Sequence, residues 1–240
     1  MNSINLKKIF KQKKISKSQY INKMFDNFLV IENFKKLLKN DGINEISINN
    51  KEIIFNYQNK FYFVMDKLDK RAFPIEFMNF GNYEKECVNF FKKIINDQKI
   101  VFDIGANIGF YSMLFEKTNP KIRIFSFEPV KETYLKLKRN INYNNFKTKI
   151  YNYGFHEKKG IKNIFFDRLN SAAASLKNTQ GTKNRTKIKL NTIDYFVSRK
   201  KISRLDFIKC DVEGAEYFVI KGAQKTIRKF LPILFFEILR

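Results

Sequence analysis

The sequence predicts an α/β chain built on a doubly wound, mostly parallel sheet, preceded by a helical segment and a small β-hairpin element. Three observations predict it. Short apolar runs recur at Ile100–Phe102, Lys121–Phe127 and Leu205–Cys210, as strands buried on both faces of a parallel sheet require. Stretches with helical apolar spacing lie between and after them, and that alternation specifies crossovers that return each strand in the same direction. One run, VFDIGANIGFYS at 101–112, passes from strand to helix through two glycines. Such a turn lets a ligand approach the backbone closely where the helix starts.

Taken in order, residues 1–40 are rich in lysine with interspersed apolar residues, and from Tyr20 onward the spacing is helical. The expectation is a basic amphipathic helix docked on the core, with an anionic membrane surface as the less favoured alternative. Asp41-Gly42 is a turn signal. Residues 46–65 then alternate, with breaks at Asn49-Asn50 and Gln58-Asn59, which reads as short antiparallel strands. These strands and the preceding helix make a segment, 1–82, expected to cap the substrate side of the main domain, 83–240.

Tyr83–Asn96 places Cys87, Phe90, Phe91, Ile94 and Ile95 on one helical face. After the strand–turn–helix run come a second strand at 121–127, a helix striped by Tyr134, Leu137 and Ile141, and a third strand at 149–153 closing at Gly154. A strand is expected after the turn at Lys159-Gly160. The stretch from Asn170 to Arg185 is small and polar and reads as a loop. Thr192 caps a short helix. A single helix is expected from Ala215 to Phe230, stopped by Leu231-Pro232, and Ile233–Ile238 is a further strand carrying Glu237.

Composition sets the outer limits. A chain of 240 residues with 44% hydrophobic content buries one substantial core. Lys+Arg of 47 against Asp+Glu of 23 gives a net charge of +24, which fits an anionic partner. The lysines are dispersed rather than gathered in one motif, so they read as solvated surface more than as a nucleic-acid groove. Two cysteines, Cys87 and Cys210, have no paired spacing, and His156 is the only histidine. That argues against structural zinc or a disulfide framework and for a reducing compartment. No secretory signal or spanning segment is legible, so the expected location is the cytoplasm, with peripheral contact at an anionic membrane left open.

The glycine spacing restricts the ligand. Asp103, Gly105, Asn107 and Gly109 form D-x-G-x-N-x-G, not the G-x-G-x-x-G that admits a pyrophosphate. Asp103 would set a negative charge where a pyrophosphate lies, so a cationic ligand, such as a sulfonium donor with an amino group, fits better. Glu128 follows the next strand, 19 residues past Gly109, the position from which a carboxylate holds ribose hydroxyls.

VFDIGANIGFYS, FSFEPV and DFIKCDVEGAE together resemble the FkbM family of S-adenosylmethionine-dependent methyltransferases, from Glu84 to Glu237. The resemblance implies a Rossmann-like class I methyltransferase domain. It also implies S-adenosylmethionine held by Asp103, Gly105, Ala106, Asn107, Gly109, Glu128, Pro129, Gly154 and Asp211, and methyl transfer to the hydroxyl of a glycan, nucleotide-sugar or other small molecule. Folds of this type add a final antiparallel strand pair, so the chain reads as C-terminally truncated. Hydroxyl methylation needs a base, and Asp211, leaving a main strand beside the cleft, is the candidate, with Glu213 assisting. A divalent cation on Asp211, Glu213 and Glu237 is an open hypothesis. For each carboxylate the bland alternative is structural, a favourable helix-start charge for Glu213 or pairing of Glu216 with Lys221 or Lys225. His156 reads as an exposed turn residue, Cys210 as a buried small hydrophobe, and Ser171 and Ser175 as lining an acceptor loop. The competing functions are RNA or other nucleic-acid methylation and a non-catalytic S-adenosylmethionine-binding role. Against nucleic acid, no Asn/Asp-Pro-Pro-Tyr or Pro-Cys signature follows Cys210.

Overall fold

The computed structural model describes residues 3–38, 42–58, 60–71, 73–81, 84–168, 170–176 and 184–237. Helices α1 (Ser3–Lys11) and α2 (Lys17–Leu37) pack on each other, with Phe10 stacked on Tyr20 at 4.6 Å. Ser16 begins α2 through a capping box with Gln19, which satisfies amide donors that a bare helix start leaves open. Strands β1 (Ile43–Ile48), β2 (Ile53–Tyr57) and β3 (Phe61–Val64) form the expected antiparallel sheet. Helix α3 (Phe73–Phe80) follows, with Pro74 in its first turn. A proline in the first turn costs the helix nothing, because its missing N–H would have no partner there.

Helix α4 (Lys85–Ile94) leads through one 3-10 turn into β4 (Ile100–Ile104), followed by α5 (Phe110–Thr118), β5 (Arg123–Phe127), α6 (Lys131–Tyr143) and β6 (Lys149–Tyr151). Next come β7 (Gly154–Phe155), β8 (Gly160–Asp167), β9 (Asn170–Ser175) and β10 (Arg185–Asn191). Helix α7 (Ile193–Arg199) is capped by Thr192, whose Oγ1 accepts from Tyr195 N. Strand β11 (Phe207–Cys210), helices α8 (Glu216–Lys221) and α9 (Gln224–Phe230), and β12 (Ile233–Phe236) complete the described chain.

The central sheet is five-stranded and parallel, in the order β12-β11-β4-β5-β6. All of β4 is buried. Its alternation sends Ile100, Phe102 and Ile104 to one face, against α7, α8 and α9, and Val101 to the other, against α4, α5 and α6. This is the doubly wound α/β fold. The N-terminal sheet shares the second core, since Tyr57, Phe61 and Phe63 pack on Phe110. Asn140 of α6 and Asn144, its C-cap residue, satisfy the outer edge of β3, with Val64 N donating to Asn140 Oδ1 at 3.1 Å and Tyr62 N to Asn144 Oδ1 at 2.7 Å. A pinned edge has no free ladder to offer another strand.

Three expectations change. The polar stretch after Asp167 is not all loop. Its first part is β9, which pairs with β8 in a second sheet of order β7-β10-β8-β9, while residues 177–183 lie outside the described residues. Small residues form this strand because ladder hydrogen bonds and a neighbour's apolar face supply what local propensity lacks. The helix expected over 215–230 is two helices broken at Gly222-Ala223. A Cβ at Gly222 would lie 2.2 Å from His156 O; Gly222 N still donates to Phe218 O, but Gly222 O accepts from Asp194 N and Thr226 N donates to Asp194 Oδ1, so the ladder is interrupted after Gly222. Finally, α2 is not docked on the core. Among the described residues, Leu38 at its end is the one that packs on the core, and Ile21, Phe25, Phe28, Leu29, Val30 and Ile31 are exposed.

Candidate active site

Period-two alternation and strand register together assemble a polar row inside the sheet. Lys209 on β11 pairs with Asp103 on β4, and Asp103 with Ser126 on β5. Ser112 of α5 closes the row, donating to Asp103 Oδ2 at 2.5 Å and lying 2.7 Å from Ser126 Oγ. Asp211, two residues past Lys209, follows on the same side and accepts from Lys209 Nζ at 3.1 Å. Burial pushes the Asp103 carboxyl up, opposed by Lys209 and Ser112. Burial alone would lower the Lys209 ammonium, yet Asp211 and Asp103 hold it above its ordinary value.

Asp103, Lys209 and Asp211 of this row line a cavity of about 500 Å³ at the carboxyl ends of the strands, where open α/β sheets bind ligands. One side is the turn after β4. Gly105 and Gly109 have φ of +78° and +95°, and Asn107 shares the left-handed region at +48°. A Cβ on Gly105 would lie 1.7 Å from Asp211 O, so only glycine fits beside β11. The amides of Gly105, Ala106 and Asn107 are already bonded within the fold. Gly105 N and Ala106 N both donate to Phe127 O at 3.0 Å, and Asn107 N donates to Glu128 Oε2 at 3.1 Å. The turn is locked to the end of β5 instead.

Glu128 is buried and also accepts from Val130 N at 2.9 Å. Burial raises its carboxyl to about 7 against the pull of those two amides. Pro129 and Gly154 line the cavity beside it. Two acceptors, Asp103 Oδ1 and Asn107 Oδ1, are buried without a hydrogen-bond partner among the described residues. Native interiors rarely leave such atoms unsatisfied, so a ligand rich in hydroxyl and amino donors fits these residues. A nucleoside with an amino acid arm is such a ligand.

The other walls come from places the motifs did not mark. Ile164, Ala174, Leu176, Ile188 and Leu190 of the second sheet supply an apolar wall. Arg71, Phe73, Glu76, Gly81 and Glu84 supply the opposite rim. No described residue of β1–β3 lines the cavity, so the lining from 1–82 belongs to 71–81 and not to the strands expected to cap it. Glu84 accepts from Tyr111 Oη, and Arg71 pairs with Glu76 at 2.6 Å. Ser175, expected at an acceptor loop, donates to Glu213 O at 2.9 Å; the side chain of Ser171 lies outside the described residues.

Glu213 has φ of +54°, a strained setting for a residue with a Cβ, of the kind that clusters at functional sites. Its carboxylate makes no hydrogen bond among the described residues, and burial, then Asp211 and Glu216, raise it to about 7. Glu216 instead accepts from Val212 N and Gly214 N, so it holds the turn rather than pairing with Lys221 or Lys225. Glu237, beside Asp211, is also raised to about 7, by burial first. The divalent cation on Asp211, Glu213 and Glu237 is not carried by this arrangement. Among the described residues no His, Cys, Asp and Glu side chains converge as ligands, and the positive charge amid the carboxylates is Lys209.

His156 is buried rather than exposed. Its ring stacks on Phe218 at 4.5 Å and its Nε2 lies 2.7 Å from Lys162 Nζ. Burial, then Lys162, hold it below its ordinary value. Cys210 is buried as expected.

These carboxylates make stability depend on pH in a defined direction. A carboxyl raised from 4.5 to about 7 on folding binds more protons folded than unfolded, so stability is lost as pH rises between those values. For Glu128 the full span is worth about 3 kcal/mol. Thermal melts of the ligand-free protein are expected to fall between about pH 4.5 and about pH 7, and Glu128→Gln to remove its share of that slope. A flat wild-type profile would contradict it.

A family model described as Methyltransferase FkbM domain matches residues 103–240. Hexuronic acid methyltransferase AglP of Haloferax volcanii is 24% identical over 145 residues, covering 60% of this chain and 58% of that protein. The chain therefore matches little more than half the length of this curated relative. Among solved structures, the METTL16 MTase domain overlays with a TM-score of 0.39 at 12% identity, over 60% of this chain and 46% of that one. P. horikoshii TYW2 in complex with MeSAdo overlays with a TM-score of 0.28 at 19% identity, over 48% and 37%.

Proposed function

The chain belongs to the FkbM methyltransferase family, and we propose that it is a methyltransferase that moves a methyl group from S-adenosylmethionine to a hydroxyl of a glycan, nucleotide-sugar or other small-molecule acceptor. The observation that carries this reading is the cavity itself, which joins the β4 turn and Glu128 to a carboxylate-rich acceptor side within one space. A glycan acceptor draws support from the relative named a hexuronic acid methyltransferase.

The bound donor supplies an electrophilic methyl group on a sulfonium centre. Glu128 accepts from ribose hydroxyls while its remaining lone pairs stay on the Asn107 and Val130 amides. Asp103, with Asn107, meets the amino donors of the ligand. Seven carboxylates against Arg71 and Lys209 line the cavity, so a cationic ligand is favoured there even though the whole chain carries +24. The apolar wall of the second sheet excludes water from the transfer.

We assign the proton of the acceptor hydroxyl to Glu213. Asp211, the base expected from its strand-end position, is tied to the Lys209 ammonium, whereas Glu213 reaches the cavity uncommitted and near neutrality. A base whose pKa lies near the working pH transfers protons most efficiently. In this reading Asp211 and Lys209 position the strand end, and Lys209 balances the charge of Asp103. The reaction is placed in the cytoplasm, consistent with the unpaired Cys87 and Cys210.

Titration calorimetry with S-adenosylmethionine is expected to show binding by the full chain, weakened in Asp103→Ala. Donor turnover is expected to depend on a nucleotide-sugar or glycan and not on total RNA. No binding by the folded protein would overturn the donor assignment, and turnover with RNA alone would overturn the acceptor class.

A further inference from the structure

Charge excess and exposed apolar surface coincide at the amino-terminal end. Residues 1–40 hold ten lysines against Asp26 and Glu32. On α2, Ile21, Phe25, Phe28, Leu29, Val30 and Ile31 are 46–61% exposed. Scattered exposed apolar residues are ordinary, whereas a run of them on one helix marks an interaction surface. Ile21, Phe25 and Phe28 fall at i, i+4 and i+7 and share one face. Lys7, Lys8 and Lys11 gather on one open face of the adjoining α1. No described helix is long and apolar enough to cross a membrane, so any lipid contact made here is peripheral.

Charge complementarity decides among occupants. A second copy would bring this lysine-rich segment against itself and repel. A nucleic acid would neutralise the lysines but leave α2's aliphatic residues in water, since its affinity comes from phosphates and base stacking. An anionic bilayer meets both needs, with phosphates for the lysines and an acyl boundary for the apolar face.

We propose that α1 and α2 form a peripheral attachment site for an anionic lipid bilayer, with Ile21, Phe25 and Phe28 entering the headgroup–acyl boundary and Lys7, Lys8 and Lys11 paired with lipid phosphates. The surface is separate from the methyl-transfer cavity, which takes no residue from 1–40 among its described lining.

Co-sedimentation of the full chain with vesicles tests this. Binding is expected to vesicles of phosphatidylcholine and phosphatidylglycerol in equal amounts, to weaken as salt rises, and to be absent with phosphatidylcholine alone. The double variant Phe25→Asp/Phe28→Asp is expected to lose roughly tenfold or more of that binding while keeping the wild-type melting temperature and donor affinity. The chain has no tryptophan, so Phe25→Trp serves as a sole reporter whose emission shifts to the blue on the anionic vesicles. An unshifted spectrum, or equal binding by the double variant, overturns the proposal. So does a dimer in light scattering without vesicles that the double variant abolishes, since the face would then belong to a second copy. RNA binding that displaces the vesicles and survives the double variant overturns it as well.

Discussion

Glu213→Gln is expected to lower kcat by roughly 10²- to 10⁴-fold, the range for removing a general base, with the affinity for S-adenosylmethionine unchanged. The amide keeps the side chain's size and cannot take the proton. Because the Glu213 carboxylate makes no hydrogen bond among the described residues, its loss leaves no partner stranded. The sign of the pH dependence follows from its role. A base acts when deprotonated, so wild-type kcat rises as pH passes about 7 and then levels. The variant loses that rising limb. Glu237 is raised to a similar value, so Glu237→Gln is the control and keeps the limb. Wild-type turnover in Glu213→Gln, or a limb that disappears only in Glu237→Gln, would move the base to another residue.

Lys209→Met is expected to destabilise the fold by about 3–5 kcal/mol, the cost of removing one partner from a buried ion pair. For a chain of this length that is a fall in Tm on the order of 10 °C. Methionine fills the space over the Tyr111 ring, where the ammonium sits 4.9 Å from the centroid, so the loss is electrostatic rather than a cavity. Without the ammonium, Asp103 and Asp211 face each other uncompensated. The Asp103 carboxyl then rises further, so the destabilisation is worst at high pH and shrinks as pH falls. Adding Asp103→Asn is expected to recover part of the loss, because it removes the most deeply buried charge. An unchanged Tm in Lys209→Met would show that the ammonium carries no net weight in the fold.

The β4 turn and Glu128 were legible in the chain and the remaining walls of the cavity were not. Asp103, Gly105, Gly109 and Glu128 follow from a strand, a turn and a fixed spacing, all local properties. Lys209 stood in plain view as a single charge inside the apolar run Phe207–Cys210, and that anomaly was the signal available. What made it a counter-charge is the register with Asp103, a contact between strands more than a hundred residues apart. Glu84 and Arg71 carried no signal, because their place at the cavity depends on tertiary packing, whereas the second-sheet wall falls in the stretch expected to hold the acceptor loop. His156 looked exposed because a turn residue normally is; Phe218, from a distant helix, covers it.

By itself the sequence determined the doubly wound sheet, the glycine turn and the acidic residue after β5, since apolar periodicity and glycine's conformational freedom act over a few residues at a time. Only the tertiary structure decided which carboxylates are already hydrogen-bonded, which amides are spent on Phe127 and Glu128, and that the apolar residues of α2 are left exposed. Those outcomes depend on which distant groups compete for the same space and the same hydrogen bonds, and that competition exists only once the chain has folded.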